Sequence, residues 1–321
     1  MRFAVSMPQV ATGASFDPDR LRDYLAEAEE LGFESAWTGE QVIGTLPMLS
    51  PLEVLSFAAA CTRRLRLGCA MFVSSLHNPV HLAKAIASLD QLSRGRTEIG
   101  LVAGGARRNF SAFGVEPASF VARFTEGIRL MQRLWSEPRV DFDGRFWQLP
   151  EVALEPKPVQ RPHPPIWLGG SHPNALRRAV RLGQGFLGAG SSTTAQFAAQ
   201  AATIRTELNR HQRDSSSFTL AKRVYLAVDD NPATARARAA EALHRRYDYF
   251  GMGDLTSVAI TGTVDDCASG LGEVVSAGAQ LIVVDLLLDD PGQLRRLASE
   301  VIPRAGYGVG QPASGCSRRQ A

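Results

Sequence analysis

Six runs along the chain, at 2–7, 65–73, 97–102, 166–168, 224–228 and 281–287, are apolar on both alternating sets of positions and are separated by long stretches with helical period. Strands apolar on both faces belong to parallel sheets covered by helices. The first helical stretch is the clearest: Leu21, Tyr24, Leu25, Ala28 and Leu31 fall at i, i+3, i+4, i+7 and i+10, and Gly32 closes it. A short strand at 35–38 follows. A second helical stretch from Pro79 to Leu92 ends in Ser93-Arg94-Gly95 and runs into the strand at Thr97, a compact βαβ unit. With 35–38 and a weak run at 185–187 the strands number eight, each with a helix behind it, which predicts an α/β chain folded as one (β/α)8 TIM-type barrel over residues 1–305. A doubly wound open sheet is the alternative. It is disfavoured because no G-x-G-x-x-G follows the first strand, whose turn is Met7-Pro-Gln-Val10.

Two segments break the repeat. Residues 137–165 carry Pro138, Pro150, Pro156, Pro158, Pro162, Pro164 and several aromatics, so they read as an ordered insertion before the fifth strand. Residues 306–321 are small, polar and aperiodic, and predict a disordered tail.

Composition changes this picture little. The chain of 321 residues is 45% hydrophobic and 21% charged, ordinary values for one large folded domain, and 34.7 kDa suits a barrel with insertions. A net charge of +3 spread along helices argues against a nucleic-acid surface. No run of 18 apolar residues and no leader pattern is present, so neither a membrane partner nor export is expected, and the expected location is the cytoplasm. Cys61, Cys69, Cys267 and Cys316 are scattered, and His77 and His81 lack a third ligand, so no metal is expected.

The most pointed chemistry lies at Pro165-Ile-Trp-Leu-Gly-Gly-Ser-His-Pro173, a short buried strand, a glycine turn and an immediate helix start. Ser171 reads as the helix cap and Pro173 as its first turn. Gly169 and Gly170 present no side chain, so a ligand phosphate could reach free N–H groups at the positive end of the helix. An ordinary βα turn is the plain alternative.

Three segments together carry a resemblance: Glu27-Ala-Glu-Glu-Leu-Gly-Phe-Glu-Ser-Ala-Trp37, Asn78-Pro-Val-His-Leu-Ala-Lys-Ala-Ile-Ala-Ser-Leu-Asp-Gln-Leu-Ser-Arg-Gly-Arg96 and Pro164-Pro-Ile-Trp-Leu-Gly-Gly170. In this order they resemble the bacterial luciferase-like monooxygenase family, most of all its deazaflavin (coenzyme F420)-dependent oxidoreductase branch. The resemblance implies a TIM-type barrel binding coenzyme F420 or, as the alternative, FMN. It also implies a homodimer, a small-molecule substrate and, in the FMN case, a separate cofactor reductase. The cofactor would lie across the C-terminal strand ends, at Met7, Glu40, Val73, Ser74, Ala103, Gly104, Gly105, Gly169, Gly170 and Ser171, with Gly188, Ala189 and Gly190 beside them. A non-proline cis peptide at the end of the third strand is a further implication.

Glu40, Gln41 and His77 are the candidate catalytic residues. Sugar-phosphate dehydrogenases of the family have an Asp-His pair where this chain has Glu40-Gln41, and a glutamate where it has Gly105. That departure favours reduction of an electron-poor centre over alcohol oxidation. Glu40 reads either as acid/base or as a hydrogen-bonding support, and His77 as pocket lining or packing. Arg107, Arg108, Arg177, Arg178 and Arg181 form a possible basic rim for an anionic cofactor, or plain solvated helix faces. Phe142, Phe146 and Trp147 are expected to pack on the barrel.

Overall fold

The computed structural model describes residues 1–11, 15–105, 110–247, 254–288, 290 and 292–310. Eight parallel strands close into a barrel: β1 (Arg2–Ser6), β2 (Ser35–Thr38), β3 (Arg66–Val73), β4 (Thr97–Val102), β7 (Ile166–Leu168), β8 (Gly185–Gly188), β9 (Thr219–Val228) and β11 (Leu281–Leu286). Helices α1 (Pro18–Glu30), α2 (Pro51–Cys61), α3 (Pro79–Leu92), α4 (Phe120–Ser136), α5 (Pro173–Leu182), α6 (Thr194–Arg210) and α8 (Val264–Ser276) surround it, and a helical stretch at 293–304 covers the remaining side. The (β/α)8 architecture is the one the sequence predicts.

Proline sets where several helices begin. Pro18, Pro51, Pro79 and Pro173 all stand at the start of their helices, where a missing N–H costs nothing. Asp17 and Asn78 complete two of these starts by accepting backbone N–H groups. Each such start is at the C-terminal rim of the barrel, so the same residues that begin the helices frame the site.

Strand seven differs from its sequence reading. It begins at Thr219 rather than 224, because Lys222 and Arg223 interrupt the apolar run. The missed residues close the barrel: Thr219 to Lys222 pair with Gly185 to Gly188. Lys222 is buried at 2% exposure with Nζ donating to the carbonyls of Ala189 at 2.5 Å and Arg223 at 2.9 Å, so the buried amine has hydrogen-bond partners.

The barrel floor is filled by two indole rings. Trp37 and Trp167 meet edge to face at 5.7 Å, and Gly68 and Gly185 leave the space their rings occupy, since a Cβ would stand 2.5 and 2.4 Å from ring carbons. Glu98 accepts from Trp167 Nε1 at 2.6 Å and from Arg66. Around the outside, Arg96 donates to Ser93, Thr62, Leu65 and Ala59, and buried Asp90 accepts from Gln160 and Thr97. The long 78–96 segment therefore ties helices to strands, at the face where barrels store stability.

The insertion is ordered as expected. Strands β5 (Val140–Asp143) and β6 (Gln148–Val152) form an antiparallel hairpin whose turn is held by Glu126 of α4, which accepts from the N–H groups of Arg145, Phe146 and Trp147. Arg123 lies over both Phe146 and Trp147, and Trp147 packs on Gly127, so these aromatics pack against α4. A second excursion was not foreseen: α7 (Pro232–Tyr247) and β10 (Ile260–Gly262) lie between β9 and α8. Helix α7 sets Ala239, Ala242 and Leu243 on Tyr225, Ala227, Leu287 and Leu288, above the ends of β9 and β11. Of the segment expected to be a tail, Tyr307 lies against Phe3 with ring centroids 6.1 Å apart and Gly310 meets Gly32; positions 311–321 lie outside the described residues.

Candidate active site

The C-terminal strand ends bring most of the predicted residues to one mouth. Glu40 leaves β2 with its side chain only 2% exposed, and both oxygens are engaged: Oε2 accepts the Val73 N–H at 2.7 Å, and Oε1 meets His77 Nε2 at 2.8 Å. A carboxylate only accepts, so Nε2 is the donor and Nδ1 is the ring nitrogen left to exchange a proton. His77 follows a 3-10 turn at Ser74–Leu76 and is 26% exposed, the more accessible partner of the two. The reading of Glu40-Gln41 as a lost carboxylate-imidazole pair is thus corrected in one respect: the pair is rebuilt from the ends of two strands. No glutamate replaces Gly105, around which a Cβ would find nothing within 4 Å.

Gln41 lies over Gly44 with both side-chain polar atoms buried and unpartnered among the described residues, an arrangement that calls for a ligand group or water. Gln9, which sequence reasoning passed over, fastens this loop by donating to Gly39 and Leu49 and accepting from the Gly39 N–H at 2.8 Å.

The floor of the mouth is made by β3, β4 and β7. The peptide bond Ala70–Met71 is cis, at the strand where the resemblance implied one. Met71 lies across two glycines, since a Cβ on Gly100 would approach its Sδ to 2.6 Å and one on Gly169 its Cε to 3.2 Å. Ser75 and Ala103 are joined by a 2.7 Å hydrogen bond, while Gly104 has φ +86° and Gly105 is exposed, so that a flat surface of backbone borders the floor. Val73 and Ser74 are buried. Met7 is displaced from its predicted role: strand alternation places its side chain with Phe3 and Val5 in the core between barrel and helices, leaving only its backbone near the mouth.

At the fifth strand the glycine turn stands, with a changed cap. His172, next to Pro173, is the N-cap of α5 and its Nδ1 accepts the Asn174 N–H at 3.1 Å, so Ser171 is not the cap but an exposed residue before it. Among the described residues no acceptor takes the N–H groups of Gly170, Ser171 or His172. Gly170 has φ +131°, and a Cβ there would meet that of Ala175 at 2.8 Å. At β8 the glycines have packing reasons: Gly188 gives room to Phe197 and Gly190 to Tyr225. Ala189 is exposed, and its carbonyl takes Ser192 and Lys222.

Burial pushes the Lys222 ammonium down to about 7, with the Arg223 charge adding to the fall. An unfolded lysine near 10.5 binds the proton throughout the interval in which the folded one has lost it, so stability rises with pH between about 7 and 10.5. We expect the parent to gain about 2 kcal/mol between pH 7.5 and 9.5 relative to Lys222→Met, read by urea denaturation. An identical gain in both proteins would mean that the buried amine stays charged.

One group at the mouth had no sequence-based prediction. Asp285, near the end of β11, accepts from Arg223 of β9 and from Arg246 of α7, the latter at 2.9 Å. Burial opposes its ionisation, but the two guanidinium groups outweigh this and hold the carboxyl below its ordinary range. Arg223 also reaches the Tyr247 hydroxyl at 3.3 Å, and burial lifts Tyr225 well above the usual phenol range. The available signal was a charge embedded in the apolar runs 219–228 and 281–286. Arg107 and Arg108 lie outside the described residues. Arg177 pairs with Glu207 at 3.2 Å and Arg178 lies over Phe124, so these two serve the α5 surface, with Arg181 beside them along a groove between α5 and α6. Among the described residues no three metal-ligating side chains converge, and no helix is long and apolar enough to cross a membrane.

Comparison with known proteins gives consistent matches. The family model described as luciferase-like monooxygenase matches residues 1–281. The F420-dependent glucose-6-phosphate dehydrogenase of Kineococcus radiotolerans is 32% identical over 238 residues, 70% of this chain and 68% of that protein. The oxygenase component of the flavin-dependent trigonelline monooxygenase of Acinetobacter baylyi is 30% identical over 57% of this chain and 52% of its own length. Among solved structures, monooxygenase RslO1 from Streptomyces bottropensis superposes with a TM-score of 0.83 at 23% identity, covering 94% of this chain and 99% of that one, a likeness of fold.

Proposed function

We propose, from the premise that this chain belongs to the luciferase-like monooxygenase family, that it transfers hydride between coenzyme F420 and a small organic substrate, with His77 moving the accompanying proton. Its relatives are oxidoreductases and monooxygenases that use F420 or a flavin. The observation that carries the finer reading is the Glu40–His77 pair: hydride transfer at a carbonyl or similar centre needs one proton placed or removed, and His77 Nδ1 is free to do either. The pair serves both directions, so the sequence-based preference for reduction loses part of its ground.

The residues present fit such a cofactor. The N–H groups of Gly170, Ser171 and His172, unpartnered among the described residues, would hold its phosphate, the Met71, Gly100 and Gly169 floor with Gly104 and Gly105 would take the ring, and Gln41 would offer an amide that has no partner among those residues. A bound deazaflavin supplies a hydride donor or acceptor carbon. The protein's part is to hold that face against the substrate, exclude water and keep His77 in one tautomer through Glu40.

A second reading, an FMN-dependent monooxygenase fed by a separate reductase, is favoured by relatives such as the FMNH(2)-dependent dimethylsulfone monooxygenase of Pseudomonas putida, 27% identical over 76% of this chain. Titration of the protein with F420 and with FMN, following ring fluorescence and oxygen uptake, separates the two. We expect saturable F420 binding without oxygen consumption. Saturable flavin binding with oxygen uptake and no F420 binding reverses the order.

A further inference from the structure

We propose that Arg223 and Arg246 form an oxyanion-recognition site at the mouth, and that the substrate is a small organic acid carrying a carboxylate or phosphate group. The proposal rests on the reading of this mouth as the substrate site. Strand alternation sets Arg223 and Asp285 on the barrel interior with Ala221 and Val283, one layer above the tryptophan floor. Arg246 reaches the same carboxylate from α7, the excursion that ordinary barrel units lack.

Among the described residues the guanidinium groups here outnumber the carboxylates they pair with. A strut holding α7 to the barrel needs one guanidinium and one carboxylate, and Asp285 already supplies its only acid to two. Glu40, at the end of β2, is taken by His77 and the Val73 N–H. Among the described residues two guanidinium groups therefore share one carboxylate, on side chains still 22% and 28% exposed. Arg223 keeps Nε without a partner among the described residues, and its engaged donors all leave through Nη2. Half-buried guanidinium groups with unused donors are suited to a planar or tetrahedral oxyanion. Arg223, near the end of β9, and Glu40, just past β2, both border the C-terminal mouth, and both lie within electrostatic reach of the buried Cys69 thiol. An anionic tail anchored on the arginines would thus keep its reactive carbon near the Glu40–His77 pair.

Inorganic phosphate serves as the probe, titrated at fixed ionic strength against chloride and read by thermal shift and by phosphorus NMR line broadening. Two classes of site are expected in the parent, one at the glycine turn and one here. Arg246→Gln should weaken one class about tenfold and leave the other. Arg246→Lys, which keeps the charge, should restore much of it, while Asp285→Asn, which removes the competing carboxylate, should tighten it. Identical phosphate binding in the parent and Arg246→Gln overturns the proposal, as does Asp285→Asn weakening it in a protein with unchanged circular dichroism. Cofactor titration separates the source of the anion: if Arg246→Gln loses F420 or FMN affinity as steeply as phosphate, the arginines hold the cofactor and the substrate assignment fails. Should the parent bind neither cofactor, the functional reading falls while the phosphate comparison still stands.

Discussion

Ser171→Asp is expected to weaken cofactor binding about a hundredfold, while Ser171→Asn stays within a few-fold of the parent. The exposed Ser171 sits between two neighbours whose N–H groups, like its own, have no acceptor among the described residues, so a carboxylate there both repels a phosphate and competes for its donors. Two like charges 4 Å apart interact by about 4 kcal/mol at an effective dielectric of about 20, and solvent at the rim reduces this to roughly 2 to 3 kcal/mol, which is the hundredfold. The neighbouring glycine is a poorer place for this test. Gly170 at φ +131° with Ala175 in the way makes even Gly170→Ala a strained variant, so a loss of binding there mixes backbone distortion with charge. The measurement is F420 and FMN affinity by ring fluorescence at low and high salt. The Asp variant should regain part of its loss as salt rises; equal affinity of Ser171→Asp and Ser171→Asn would move the phosphate elsewhere.

The barrel was legible because its signals are local. Apolar runs bounded by turns mark the strands, and proline at a helix start marks the rim. The glycine turn at 169–170 was legible for the same reason, and only its cap moved by one residue, because Pro173 fixes His172 as the last residue before the helix. What stayed hidden depends on the fold closing. Glu40 and His77 are 37 residues apart, Arg223 and Asp285 are 62 apart, and no period in the chain announces either pair. Helix α7 was not foreseen for a related reason: its alanine-rich face, with Ala235, Ala239 and Ala242 buried, has the pattern of an ordinary barrel helix, and only the closed fold shows that it covers the strand ends. The 78–96 segment shows the converse. It carried much of the resemblance, yet Asp90 and Arg96 work in the framework, and only Asn78 and Pro79 at its start border the mouth.

Proton transfer at His77 has the largest expected effect on turnover. Its Nε2 is tied to Glu40 at 2.8 Å, which fixes the ring and leaves Nδ1 as the proton-carrying atom. His77→Gln should lower kcat with a working substrate by about 10² to 10³ while leaving cofactor affinity unchanged, the size usual for losing a general acid or base. Glu40→Gln should cost less, roughly tenfold, because a carboxamide can still accept the Val73 N–H but no longer enforces one imidazole tautomer. Removing both residues should cost no more than removing His77 alone, since Glu40 acts through the ring. A readout independent of the substrate exists: with six histidines in the chain, nitrogen NMR of labelled protein can be assigned through His77→Gln. The parent should hold His77 as its Nε2–H form, and Glu40→Gln should mix the two tautomers. If kcat is unchanged in His77→Gln across pH 5 to 9, the proton moves elsewhere and the pair is only a strut between strands β2 and β3.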